Sequence, residues 1–150
     1  MAVRFAPGSV FRVDVPGGRC AWAVMLEEFP HFAFYADDAG PEEGKPPGAE
    51  PLFILAVQRN AYAGGGWGKP VAELDREQLP AIPEFFRQDD DNPGECLIVD
   101  VEGNERVAAP AECEGLEREA VWAASHVEER LADHYAGRRN ATVEDFKVKR

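Results

Sequence analysis

Val10-Phe-Arg-Val-Asp-Val15, Pro16-Gly-Gly18 and Arg19-Cys-Ala-Trp-Ala-Val-Met-Leu26 follow one another without interruption. The first part alternates with period two, the second is a turn cluster, and the third is again rich in strand-forming residues. The passage therefore predicts an antiparallel hairpin, and a hairpin this early in the chain sets a sheet as the frame on which later segments must pack. Working outward, His31-Phe-Ala-Phe-Tyr35 supplies a third strand. The stretch from Asp37 to Pro51, with four prolines, three glycines and five acidic residues, predicts a long exposed loop. Leu52-Phe-Ile-Leu-Ala-Val57 has no polar face at all, which predicts a strand covered on both sides and central in the sheet.

Further along, four glycines surround Trp67 between Asn60 and Pro70, and Pro80 and Pro83 punctuate Glu73 to Gln88. Both segments are expected to be loops with at most short turns. Cys96-Leu-Ile-Val-Asp-Val101 and Glu105-Arg-Val-Ala108 flank the turn Glu102-Gly-Asn104 and predict a last hairpin. From Gly115 the period changes: Leu116, Ala120, Ala124, Val127, Leu131 and Tyr135 trace one stripe along about five helical turns. Glu114, Glu117 and Glu119 near its start and His134, Arg138 and Arg139 near its end suit the helix dipole, with Gly137 as the C-terminal cap. Thr142 to Arg150 is expected to be a last strand or a frayed tail. Strands first and a helix last predict an α+β fold, with a mostly antiparallel, strongly twisted or barrel-like sheet and one long C-terminal helix packed on it. All 150 residues fit a single domain.

Charge narrows the function. Sixteen Lys and Arg face 28 Asp and Glu, a net charge of −12. Phosphate backbones and anionic headgroups are held by basic clusters, so nucleic acid and membrane are disfavoured as partners. A basic protein, a cation or a neutral small molecule fits better. The first residues lack the charged start and apolar stretch of a secretory signal, and the longest apolar runs are strand-sized, so a cytoplasmic location is expected. Cys20, Cys96 and Cys113 show no C-x-x-C spacing; Cys20 and Cys96 lie in apolar runs and read as small hydrophobes.

No segment assembles a catalytic set. Gly64-Gly-Gly-Trp-Gly-Lys69 fails as a phosphate loop because Pro70 stands where a hydroxyl is needed. Asp89-Asp-Asp-Asn-Pro-Gly-Glu95 places Asp89, Asp91, Gly94 and Asp100 at calcium-loop positions, but Pro93 offers no side-chain ligand, and a solvated acidic turn is the better reading. His126 and His134 are about 12 Å apart along a helix, too far to share a metal. Ser9 has none of the surroundings of a nucleophile, and Ser125 adjoins His126 on a helix where neighbouring residues point in different directions. These absences favour a binding protein without cofactor or metal over an enzyme, with a small-ligand or metal-binding module as the alternative. Partner contacts are expected from the acidic loops, at Asp37, Asp38, Glu42, Glu43, Asp89, Asp90 and Asp91. Trp67 is a further candidate, either as an interface anchor or as a pin for its own loop.

Several stretches resemble the immunity protein 26 family of bacterial polymorphic toxin systems. They are Pro7-Gly-Ser-Val-Phe-Arg-Val-Asp-Val15, Gly17-Gly-Arg-Cys-Ala-Trp-Ala-Val-Met25, Phe32-Ala-Phe-Tyr35, Gly66-Trp-Gly-Lys-Pro70, Leu97-Ile-Val99, Glu112-Cys-Glu-Gly-Leu-Glu117, Ala120-Val-Trp122 and His126-Val-Glu-Glu-Arg130. Together they span from about residue 5 to 137, as a spread pattern of glycines, aromatics and the Gly-Leu-Glu segment. The resemblance implies a cytosolic inhibitor that neutralises a cognate toxin, in many such systems a nuclease, and it transfers no functional residues. A nuclease cleft must be basic, so an acidic inhibitor would be steered to it and would block it by occupying space.

Overall fold

The computed structural model describes residues 3–39, 48–64 and 66–150. The opening passage forms the expected hairpin: β1 (Ser9–Val15) and β2 (Arg19–Met25) pair antiparallel, Val13 opposite Ala21. β3 (His31–Ala36) and β4 (Phe53–Val57) continue the ladder. Period two places Phe11, Val13, Phe32, Phe34 and Leu55 in one cluster, and Val10, Val24, Ala33 and Tyr35 in another on the opposite face. Both faces are covered, which explains the scarcity of polar residues in β3 and β4.

The remaining elements are β5 (Ala72–Glu73), β6 (Phe85–Gln88), β7 (Cys96–Val99), β8 (Glu105–Ala108), α1 (Pro110–Cys113), β9 (Glu117–Arg118), β10 (Val121–Trp122), α2 (Ala124–Ala136) and α3 (Ala141–Phe146). Among the described residues the strands form two open sheets, of six strands in the order β10-β4-β3-β2-β1-β5 and four in the order β8-β7-β6-β9. The α+β class and largely antiparallel pairing match expectation. Among the described residues the sheets do not close into a barrel. β4 lies second from an edge rather than at the centre, with only the two-residue β10 outside it.

The single long helix is also corrected. Leu116 and Ala120 stand at helical spacing from Ala124, yet α2 begins at Ala124 and spans 13 residues. Gly115 adopts φ +86°, and β9 and β10 pair in parallel with β6 and β4 instead. Sheet edges with unpaired backbone groups outcompete a helical start here. Glu117 and Glu119, expected near the helix N-terminus, pair with Arg130 and Arg87. The other end holds: Gly137 takes the left-handed conformation, and its N–H reaches Asp133 and His134 carbonyls. Beyond it the chain forms α3, neither strand nor frayed tail. Asn140 caps it, with its side-chain oxygen accepting from Val143 N at 3.0 Å.

α2 lays Val127 and Leu131 on the Phe11–Phe34 face of the six-stranded sheet. Its last turn is latched to the sheet by Tyr135, whose hydroxyl donates to Cys20 O at 2.7 Å and accepts from Asp37 N at 3.1 Å. The Glu73 to Gln88 segment, expected to be loop, provides β5 and β6, and its Leu74, Leu79 and Ile82 cover the opposite face.

His31 lies where the two sheets meet, its ring 5.4 Å from Phe85 and its Nδ1 3.2 Å from Glu28 O. Burial holds its pKa below the ordinary 6.5 against the opposing pull of the Glu28 carbonyl and of the Glu119 and Glu28 carboxylates. Asp100 lines the same small cavity. The folded state then binds fewer protons than the unfolded chain just below pH 6.5, so stability rises with pH in that window. Denaturant titrations are expected to show stability rising with pH through that window, and His31→Phe is expected to remove that rise. A pH-independent wild type would contradict this.

Candidate functional site

The acidic run Asp89–Glu95 is the turn joining β6 to β7, as its composition suggests. Asp89 Oδ1 accepts the N–H groups of Asp91 and Asn92, each at 2.8 Å, and the Asp89 N–H closes the turn on Glu95 O at 3.1 Å. One carboxylate therefore folds the turn, and Asp90, Asp91 and Glu95 are carried outward on it, all exposed. None of Asp89, Asp90, Asp91 and Glu95 makes an ion pair with a described cation.

The turn stands between two recesses. One, of about 550 Å³, is lined by Arg87, Gln88, Asp89, Glu95, Cys96, Leu97 and Val107. The other, of about 350 Å³, runs along Gln88, Asp90, Pro93, Arg118, Asp145 and Lys149. The cations among these residues are engaged within the fold. Arg87 grips Glu119 through Nε and Nη2 at 2.6 and 3.2 Å and sits 3.7 Å from Glu105. Arg118 lies 4.8 Å over the Phe86 ring and donates to the carbonyls of Phe146 and Lys147 and to Gln88. Arg87 is matched by carboxylates, whereas Arg118 is held by neutral acceptors and Lys149 reaches only the Asp145 carbonyl at 3.4 Å, so the turn's negative charge faces the 550 Å³ recess and is shared with two cations in the other.

Gln88 is the residue that ties this region together. Its Nε2 donates to Pro93 O and Lys149 O, and its Oε1 accepts from Lys149 N, so the acidic turn and the C-terminal tail share one clamp. Sequence reading passed over Gln88, Arg118 and Val107. The available signal was Phe85-Phe86 beyond Pro83, which marks a strand before the acidic turn.

The other expected contacts fare differently. Asp37 heads a 3-10 turn and is held by Arg19 through two hydrogen bonds of 2.8 Å, which keep its carboxyl below the ordinary range. Its carboxylate holds the Arg19 guanidinium, which lies 3.7 Å over the Tyr135 ring, whereas Asp38 is exposed next to it. Glu42 and Glu43 lie outside the described residues. Trp67 is not an exposed anchor: it is 6% exposed, stands edge-on to Phe32 and Phe34 at 5.8 and 5.9 Å, and donates from Nε1 to Glu128 at 3.0 Å. The positions gathered at one place are thus Asp89, Asp90 and Asp91.

Reactive chemistry has little footing at the site. Cys96 and Cys113 are buried in the small cluster under the second sheet, and burial together with Cys96 pushes the Cys113 thiol up to about 11. A protonated, enclosed thiol is a packing group rather than a nucleophile. Among the described residues no group of three His, Cys, Asp or Glu side chains is placed to hold a metal, and no helix is long and apolar enough to cross a membrane. Comparison of the chain with protein-family models, curated proteins and solved structures finds no match.

Proposed function

We propose that this chain is a cytoplasmic immunity protein that binds a cognate bacterial toxin of the nuclease type and neutralises it by stoichiometric occlusion. The observation that carries the reading is the β6–β7 turn, where Asp89, Asp90, Asp91 and Glu95 project without cationic partners among the described residues, beside a recess of about 550 Å³. Such a surface suits a basic cleft in two ways. Long-range attraction raises the encounter rate, and apolar walls at Leu97 and Val107 give the bound state contact area that charge alone does not supply. The resemblance to immunity protein 26 sequences and the net charge of −12 point the same way.

Inhibition of this kind requires no catalytic group from the inhibitor. Neutralisation follows if the acidic turn occupies the place where the toxin would hold phosphates, a turn whose first arm, at Gln88 and Asp89, is bonded across to Pro93 and Glu95. Co-expression with the toxin domain encoded by the neighbouring reading frame is the test. Restored growth and co-purification at one-to-one stoichiometry are the expected results. Failure of both would overturn the reading.

A further inference from the structure

We propose that the outer edge of β8 receives an extended, basic segment of the partner as an added strand; this rests on the reading of the chain as an inhibitor of a basic protein and names how it takes hold. β8 ends the four-stranded sheet, with no described strand beyond it. The hairpin register decides which of its groups are free. Asp100 N donates to Asn104 O at 3.1 Å, so this is a hydrogen-bonded pair, and by alternation Ile98/Arg106 and Cys96/Ala108 are the next ones. Glu105 and Val107 fall between them, and their N–H and C=O groups point away from β7. The edge therefore offers two donors and two acceptors in strand geometry.

The edge is short and its two charges, Glu105 and Arg106, are turned to partners within the fold, which leaves Val107 as its open position. Protected edges carry lysine, proline or a bulge, whereas Val107 is 83% exposed. Arg106, the one cation of β8, is engaged by Glu84 at 3.3 Å. Val107 also lines the 550 Å³ recess with Leu97, so an added strand would set an apolar side chain into that hollow while hydrogen-bonding along the edge. Both ends of the edge are acidic: Asp89 and Glu95 lie beyond Ala108, and Asp100 and Glu102 lie at the Glu105 end. An incoming segment with lysine or arginine alternating with apolar residues satisfies all three features, and an acidic segment is repelled.

The test uses the peptide acetyl-Lys-Val-Lys-Val-Lys-Val-Lys-amide and its glutamate counterpart as probes of the full chain, followed by amide nuclear magnetic resonance and hydrogen exchange. The lysine peptide is expected to bind, to protect the Glu105 and Val107 amides, and to weaken by about tenfold or more with Val107→Pro, which removes an outward N–H without touching the β7 ladder. Val107→Lys, which places a charge on the same edge without altering the backbone, is expected to act likewise. Circular dichroism checks that both variants fold. No binding of the lysine peptide, equal binding by both folded variants, or equal binding of the glutamate peptide would overturn the proposal. So would a concentration-dependent dimer abolished by Val107→Pro, because the occupant would then be a second copy of the chain. Rescue of growth is scored separately. Rescue that survives both variants leaves the inhibitor reading standing and removes the edge, whereas protection of the edge without any rescue removes the toxin and keeps a receptor for basic strands.

Discussion

Trp67→Ala is expected to destabilise the fold by about 3–5 kcal/mol, lowering the melting temperature by roughly 10 °C, while leaving partner affinity of the folded protein unchanged. The indole packs against the sheet, in edge contact with both Phe32 and Phe34. Its N–H bonds to Glu128 of α2, and its own backbone N–H reaches Ala61 O at 3.2 Å. Truncation thus empties a cavity at the junction of loop, sheet and helix. Trp67→Phe keeps the ring contact and loses the bond to Glu128, so it should cost only about 1 kcal/mol. Thermal and denaturant unfolding measure both. A Trp67→Ala protein of unchanged stability that bound its partner tenfold less tightly would mean that the indole is an interface anchor after all.

The two possible roles of Trp67 could not be separated in the sequence, because a glycine-rich setting permits either an exposed tip or a loop folded inward. What decides is the position of Glu128 some sixty residues away, together with two phenylalanines on a different element. Local patterning was a sound guide wherever the partner was also local. The β1–β2 hairpin, the β7–β8 hairpin with Gly103 at φ +87°, and the Gly137 cap each rest on residues within one turn of each other. Asn140-Ala-Thr142 shows the same principle in reverse: Asn140 is 7% exposed and caps α3, a role visible once the helix is known.

Pattern misled where distant backbone competed. Leu116 and Ala120 fit the apolar stripe of α2, but β9 and β10 are drawn into the edges of two different sheets, and Glu117 turns to pair with Arg130 at 2.8 Å. Parallel two-residue pairings of this sort leave no periodic trace. β6 was hidden for a related reason: four residues between Pro83 and an acidic turn are too few for alternation to register, and they are held from both sides by β7 and β9. The same gap concealed part of the site. The acids Asp89, Asp90 and Asp91 were readable as an exposed turn, whereas the recesses beside them require β6, β8 and the tail at Lys149 to come together.

Steering by that turn has a direct kinetic signature. Replacing Asp89, Asp90 and Asp91 together by Asn removes three of the 28 acidic residues while preserving the turn, because the asparagine at position 89 keeps a side-chain oxygen for the Asp91 and Asn92 N–H groups. Stopped-flow association with the toxin domain of the neighbouring reading frame, run for wild type and variant across a salt series, is the decisive measurement. At low salt, where the screening length is about 30 Å, the variant is expected to associate about tenfold more slowly, and the two rates should converge toward about 1 M salt. Equal rates at low salt, with no dependence of the wild-type rate on ionic strength, would contradict the assignment of the β6–β7 turn as the surface that meets a basic partner.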